Sequence, residues 1–204
     1  MTDNPTRAAR LKFLLLAGLF AAPVLGAYIT YFYFPDHMPS ATTNYGSFFD
    51  PVETLPEDQQ VLLADGSRSR APLLEQWTLV HWVAGDCGSD CEASLVLTRQ
   101  TRLSLNDKRD RVRRLLLTND PARIEELAQR YAEAHHDLVV AGSDDSLAEL
   151  LHRGERGIVL LDPLGNVLMS YQPKAGEAGV QADFKGIRKD LKKLLKLSKV
   201  PMDE

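Results

Sequence analysis

An excess of positive charge is absent from this chain, which has 24 Lys and Arg residues against 28 Asp and Glu residues. Leaving out the first twelve residues removes three basic and one acidic side chain, so 21 basic and 27 acidic residues remain and the formal charge is −6. Proteins that bind nucleic acid neutralise backbone phosphates with Lys and Arg. The charge balance therefore argues against a nucleic-acid partner. Internal repeats are absent too, and low complexity is confined to a lysine-rich tail.

Charged residues are also missing from residues 13–34, FLLLAGLFAAPVLGAYITYFYF. A run of twenty-two uncharged and mostly apolar residues is long enough for one membrane crossing. A buried core helix is rarely apolar on every face for so long. The run ends in aromatic residues, which suit a membrane–water interface, whereas a cleaved signal peptide has a shorter apolar core followed by small residues. We therefore predict an uncleaved transmembrane anchor.

Basic residues precede this run, namely Arg7, Arg10 and Lys12, whereas Asp36 and His37 follow it. The positive-inside rule then places the N-terminus in the cytoplasm and everything after about Pro35 outside. In a bacterium the chain would be a single-pass protein of the inner membrane, in contact with the lipid bilayer through the anchor, and its C-terminal domain would face the periplasm. A cysteine pair there is either held as a disulfide or actively kept reduced.

Beyond residue 60, apolar runs alternate with turn and cap signals in a way that is typical of an α/β protein. The predicted elements are a hairpin at Asp65-Gly66, a strand over 76–84, a helix to about Asn106, a strand over 111–119, a helix from Pro121, a strand from Asp137, a short helix capped by Ser143, a hairpin turning at 162–165, and a terminal helix from about Ala182. We therefore predict a mixed sheet flanked by helices and preceded by the single transmembrane helix.

Composition divides the chain into five segments. Residues 35–59 are rich in Pro, Ser, Thr and acidic residues and predict a tether, with room for a short strand near its end. The predicted segments are the cytoplasmic N-terminus (1–12), the anchor (13–34), the tether (35–59), the periplasmic domain (60–198) and a C-terminal tail (199–204).

Both cysteines of the chain, Cys87 and Cys91, follow the strand over 76–84, where a helix begins. A helix N-terminus presents free amides and a partial positive charge, and both stabilise a thiolate. Three neighbouring acids, Asp86, Asp90 and Glu92, oppose this effect. We expect a less reactive thiol pair than one set among neutral or basic residues.

The three-residue spacing bears on the chemistry of the pair. If both cysteines were helical, their Cβ atoms would lie about 5 to 6 Å apart, whereas a disulfide needs about 3.5 to 4.5 Å. A disulfide therefore requires Cys87 to lie outside the helix register. Two thiolates that hold a soft cation tolerate the wider separation, and the flanking acids favour cationic cargo. The spacing alone leaves both chemistries open.

The order of elements, with a cysteine motif after the first central strand, resembles the thioredoxin fold over roughly residues 60–198. The anchor, the cysteine spacing after a strand that contains WTLV, and the later LLDPLGN hairpin together resemble the Sco/SenC group of cytochrome c oxidase assembly proteins. The resemblance implies that copper(I) is bound by the two cysteines, Cys87 and Cys91, and a histidine. It also implies that the partner is an oxidase subunit or another assembly factor.

The chain departs from this family at the histidine. The family histidine lies eight residues before the aspartate of the hairpin, and counting back from Asp162 gives Gly154, with His152 two residues away. RGERGIVLLDP also lacks the cis-proline that thioredoxins carry there. The sequence is thus identified as a divergent Sco-like member whose third ligand is absent or relocated, and His152 is the candidate for that ligand.

Two histidines, His152 and His81, have two interpretations each. His152 is either the third ligand or an exposed residue favoured at a helix C-terminus. His81 lies where thioredoxins keep a buried acid that handles the proton of the second cysteine, so it either does that work or is a hydrogen-bonded core residue. His135 and His136 are adjacent on a helix and point in different directions, so we expect no metal there.

Together these patterns predict a membrane-anchored Sco-like protein in cytochrome c oxidase biogenesis. It would hand over copper(I) or reduce disulfides at the copper site of the oxidase, with Cys87 as the exposed nucleophile and Cys91 as the more buried, resolving thiol. Two alternatives remain. The domain is either a docking module with a static disulfide or a general periplasmic thiol–disulfide reductase.

Overall fold

A computed structural model describes residues 5–34, 43–83, 86–152, 157–174 and 176–198. The chain divides into two units, Met1–Thr43 and Asn44–Glu204. The first unit contains helix α1 (Pro5–Tyr33), whose described side chains are exposed. Its segment Ala9–Tyr33 is long and apolar enough to cross a membrane, so the described part of the chain contains the predicted N-terminal candidate span.

Among the described residues, eight strands form one mixed sheet. They are β1 (Ser47–Thr54), β2 (Val61–Leu63), β3 (Arg68–Ser69), β4 (Trp77–Val83), β5 (Val112–Thr118), β6 (Leu138–Gly142), β7 (Ile158–Leu161) and β8 (Asn166–Tyr171). The spatial order is β1-β8-β7-β4-β5-β6-β2-β3. β5 is parallel to β4 and β6, and the other pairs are antiparallel. β4 is central and almost wholly buried, as its continuous apolar sequence predicts.

In the described part of the second unit, four α-helices cover the sheet: α2 (Ser89–Leu103), α3 (Ile124–Ala132), α4 (Asp145–His152) and α5 (Glu177–Leu197). On one face, α2 and α5 pack on β4, β7 and β8, and α3 packs on β5 and β6 beside α2. On the other face, α4 and the segment around Leu55, Val61 and Leu73 pack on alternate residues of the same strands. The alternation of buried side chains along each strand therefore produces two cores.

The compact unit begins at Asn44 rather than at residue 60. β1 lies inside the predicted tether and pairs with β8 along the edge of the sheet, with Ser47 opposite Ser170. The register shifts between Phe48 and Glu53, and the strand is mostly exposed. Pairing with β8, which lies far away in the chain, makes this segment a strand where local composition indicates a tether.

Turns and caps largely follow the sequence signals. Gly66 and Gly165 adopt the positive φ angles that the two predicted hairpins need, +80° and +87°. Asp120 Oδ1 accepts a hydrogen bond from the Ala122 amide at 3.1 Å, as predicted for a cap.

The starts of two helices differ from the prediction. At α4, Asp144 and not Ser143 accepts a hydrogen bond from the first turn, from the Leu147 amide at 2.9 Å. α5 begins at Glu177, five residues earlier than predicted.

Candidate functional site

Cys87 and Cys91 form a disulfide whose Cα atoms are 5.1 Å apart. α2 begins at Ser89, with the extended residue Gly88 as its N-cap. Cys87 therefore lies before the helix and outside its register, which is the condition that closure of the bond requires. The Gly88 carbonyl accepts the first helical hydrogen bond, from the Glu92 amide at 3.0 Å.

The two sulfur-bearing side chains differ in exposure. Cys87 is only 4% exposed and belongs to the apolar cluster that contains Val83, Leu95 and Leu116. Cys91 is partly exposed and packs at the margin of the same cluster. The prediction that Cys87 is the exposed sulfur and Cys91 the more buried one is therefore wrong, because the residue before the helix packs into the core between α2, α3 and the sheet.

A cavity of about 420 Å³ lies beside Cys91. It is bounded by α2, by the end of β4, and by the segment that joins β8 to α5. Polar and apolar groups both line it, including Asp90, Ser94, His81, Pro173 and Lys174. A pocket of this size is large enough for several atoms of a bound molecule. Cys91 is thus the cysteine of the pair that lines a cavity open to a second molecule.

The acids around the cysteines are partly compensated. The Arg123 guanidinium donates a hydrogen bond to Asp86, and this bond holds the pKa of Asp86 below its ordinary value. The Tyr131 hydroxyl donates to Glu92 Oε1 at 3.4 Å. Burial, together with the charge of Glu92, raises the pKa of Tyr131. These contacts reduce the electrostatic opposition to a thiolate that three free carboxylates would impose.

His81 is buried on β4, and its Nε2 lies 3.0 Å from Thr98 Oγ1 on α2. Burial, together with the charges of Arg114 and His135, lowers the pKa of His81 to about 3. The imidazole is therefore neutral and weakly basic near neutral pH. This environment favours the interpretation of His81 as a hydrogen-bonded core histidine, although its ring also lines the cavity beside Cys91.

Arg114 on β5 is a buried cation beneath α2 and has no exposed side-chain surface. Its guanidinium donates to Asp137 Oδ1 at 2.9 Å, to the Leu95 carbonyl at 2.6 Å and to Thr98 Oγ1 at 3.1 Å. It also lies 3.3 Å from Nδ1 of the buried His135. A buried charge needs such partners, and here they join β5 to α2.

Sequence reasoning did not identify this network. The available signal was the pair Arg113-Arg114 inside a strand that is otherwise mostly apolar, RVRRLLLT, because an arginine is rarely buried unless it is paired.

Within the described part of the chain, no group of three or more His, Cys, Asp and Glu side chains is placed to hold a metal ion. The backbone of His152 ends α4, but its side chain lies outside the described residues, as does Gly154. The two sulfur atoms could act as soft donors only after reduction of the disulfide, and the third copper ligand stays a prediction.

Residues 77–198 match the family model described as "transmembrane-like, thioredoxin-like, C-terminal domain". No curated protein matches the chain. Among solved structures, apo Sco1 from Thermus thermophilus is similar, with a TM-score of 0.57 and 16% identity over 76% of this chain and 99% of that chain. ScoI from Arabidopsis thaliana with copper bound gives a TM-score of 0.50 and 16% identity over 73% and 99% of the two chains. Yeast Sco1 with copper bound gives a TM-score of 0.50 and 15% identity over 78% of this chain and 96% of that chain. These likenesses confirm the predicted Sco-like thioredoxin fold.

Proposed function

The chain belongs to the family of transmembrane-like, thioredoxin-like C-terminal domains, and from this we propose that it is a membrane-anchored thiol–disulfide oxidoreductase. The observation that carries the proposal is the disulfide at the N-terminus of α2, with Cys91 beside a cavity. In the exchange, a partner dithiol gives two electrons and two protons to the Cys87–Cys91 disulfide and becomes a disulfide itself. The reverse exchange would reduce a partner disulfide.

Several contacts support a pair that cycles without loss of the fold. The disulfide closes a loop of only a few residues, so its loss costs little loop entropy. α2 is held independently by the hydrogen bond from Arg114 to the Leu95 carbonyl. The amides of the first turn of α2 favour a thiolate at this end of the helix. Reduction should therefore leave α2 in place.

A redox titration of the full-length protein in detergent tests this proposal. We expect the fraction of disulfide, measured by alkylation and intact mass, to change reversibly across a series of dithiothreitol or glutathione ratios. Circular dichroism should show no unfolding over the same series. The Cys87→Ser/Cys91→Ser double variant is the control for alkylation. A pair that is reduced only on unfolding would support the static docking module, and a pair that stays reduced after oxidant would also contradict the proposal.

Within this activity, we propose a role in cytochrome c oxidase biogenesis at the periplasmic face of a bacterial inner membrane. The Sco/SenC resemblance of the sequence and the positive charge before α1 support this role. The substrate would be copper(I), or a disulfide at the copper site of the oxidase, and the partner an oxidase subunit or another assembly factor. A general periplasmic reductase is the alternative, and it would reduce unrelated protein disulfides such as those of insulin.

Copper(I) as a substrate is supported by the two sulfur donors, which are soft ligands once reduced. Copper is also bound in the similar structures from Arabidopsis and yeast. Competition of the reduced full-length protein against a calibrated copper(I) chelator measures its retention. We expect Cys87→Ser and Cys91→Ser each to abolish binding and His152→Ala to have a smaller effect, because the position that matches the family histidine is Gly154.

The copper experiment also has a clear negative outcome. If His152 is a ligand, its replacement weakens binding by at least about ten- to hundredfold, the loss typical even of a supporting residue at a metal site. If the reduced wild-type protein retains no copper(I), the copper role is wrong. The oxidoreductase activity is then judged by the redox titration alone.

A further inference from the structure

The two halves of the disulfide are not equally accessible to a second molecule. Cys87 is enclosed by the cluster that contains Val83, Leu95 and Leu116. Cys91 is partly exposed and lines the cavity between α2 and the segment that joins β8 to α5. Thiol–disulfide exchange requires the attacking thiolate to reach the sulfur that it attacks. Access therefore distinguishes the two cysteines.

We propose, on the basis of the oxidoreductase function above, that Cys91 Sγ is the atom at which the pair exchanges with its partner and that Cys87 is the resolving thiol. The partner cysteine would enter through the cavity beside Cys91. This order is the reverse of the one predicted from the sequence, in which the first cysteine is the exposed nucleophile. It follows from the position of Cys87 before the helix, where the chain packs into the core.

The exchange proceeds in two displacements. A partner thiolate attacks Cys91 Sγ, a partner–Cys91 disulfide forms, and the Cys87–Cys91 bond breaks, so that Cys87 leaves with the electron pair and is protonated. The second thiolate of the partner then attacks the partner's own sulfur in the mixed disulfide and releases Cys91 as a thiolate. In the reverse direction, the Cys91 thiolate attacks a partner disulfide, and Cys87 attacks Cys91 Sγ to release the partner.

The environments of the two sulfurs favour Cys91 as the sulfur that bonds to the partner, whereas enclosure makes Cys87 the poorer leaving group in the first displacement. Cys91 is the third residue of α2, where the free amides of the first turn stabilise a thiolate. Cys87 is enclosed by apolar side chains, which disfavour a charged sulfur. Cys91 is therefore the better attacking and leaving group toward a partner. Cys87 is suited to an internal attack, because its partner sulfur is already adjacent.

The charges near Cys91 indicate the chemistry of the partner. Asp90 and Glu92 flank it in the first turn of α2 and are exposed. Lys174, which lines the cavity, places its ammonium 5.2 Å from the centroid of the Tyr45 ring, and Arg123 pairs with Asp86. We therefore assign the partner as a cysteine pair on a polypeptide segment with neutral or basic neighbours, rather than a small acidic thiol.

Single-cysteine variants of the full-length protein test the order of reaction. Cys87→Ser leaves Cys91 free, and Cys91→Ser leaves Cys87 free. With the cationic disulfide cystamine, we expect the free Cys91 to form a mixed disulfide at least about tenfold faster than the free Cys87 in the folded protein. In urea the two rates should become similar. Equal rates in the folded protein, or a faster reaction at Cys87, overturn the proposal.

A second measurement avoids reliance on the folding of either variant. Reduced wild-type protein is treated with limiting iodoacetamide, and peptide mapping then locates the label. We expect the label mainly on Cys91, and a label mainly on Cys87 overturns the assignment. If the wild-type pair cannot be reduced while folded, the oxidoreductase function fails, but the single-cysteine rates still decide which sulfur is accessible.

A third measurement tests the charge of the partner. The free Cys91 is reacted with cystamine and with the anionic disulfide dithiodipropionate, and the ratio of the two rates is taken. We expect the ratio of the cystamine rate to the dithiodipropionate rate to be larger in the folded protein than in urea. Added salt should reduce this preference, because it screens exposed charges. A ratio that is the same in the folded and unfolded protein overturns the assignment of a neutral or basic partner.

Discussion

His81 shows how one buried residue makes stability depend on pH. Burial and the nearby cations lower its pKa to about 3, from an ordinary value of 6.5. Below pH 6.5 the unfolded chain binds a proton that the folded protein excludes. The contribution of His81 to stability is therefore complete above pH 6.5 and is lost progressively as the pH falls from 6.5 toward 3.

We predict that the stability advantage of the wild type over His81→Asn shrinks by about 1.5 kcal/mol between pH 6.5 and pH 5. The reason is that only the wild type excludes a proton at this position. Urea unfolding of both proteins at a series of pH values measures the difference, and the other titrating groups, which both proteins share, largely cancel. A difference that does not change with pH would show that His81 can be protonated in the folded state.

At the level of elements, α5 fixes the start of β1. Asp190 accepts hydrogen bonds from the Tyr45 and Gly46 amides, each at 2.9 Å. Two turns earlier, Asp183 accepts a hydrogen bond from the Tyr45 hydroxyl at 2.6 Å. Gly186 lies between these two carboxylates, and a Cβ atom there would overlap the Tyr45 ring. The absence of a side chain at Gly186 therefore lets Tyr45 pack directly on the helix.

We predict that Gly186→Ala destabilises the protein by about 2 kcal/mol, as is typical of overpacking. In an unobstructed helix the same change usually stabilises by up to about 1 kcal/mol. The control is the same substitution in a Tyr45→Ala background, where the ring is gone and we expect no cost or a small gain. Urea unfolding of the four proteins measures this coupling. An equal cost in both backgrounds would contradict the proposed contact.

At the level of the whole molecule, the main prediction concerns the orientation of the chain across the membrane. The basic residues before α1 predict that the C-terminal unit faces outward. Alkaline phosphatase fused after Glu204 should be active, and the N-terminus of the mature protein should be intact. In the control fusion, Arg7, Arg10 and Lys12 are replaced by Glu, and we expect phosphatase activity to fall. An inactive wild-type fusion, or a shortened N-terminus, would count against an uncleaved anchor.

The sequence by itself determined the features that depend on neighbouring residues. The uncharged run at 13–34 predicted the position of α1, and alternating apolar runs predicted the mixed α/β sheet. Gly66 and Gly165 marked the two hairpins because their turns need positive φ angles. The cysteine spacing showed that a disulfide needs Cys87 outside the helix. Each of these inferences depends on patterns among residues that are neighbours in the chain.

Only the tertiary structure decided which cysteine is accessible, because the burial of Cys87 comes from side chains on α2, α3 and the sheet. The same is true of Arg114, whose partners lie on α2 and beyond α3. It is also true of β1, which becomes a strand through pairing with β8. These features depend on contacts between residues far apart in the chain, and no local pattern specifies such contacts.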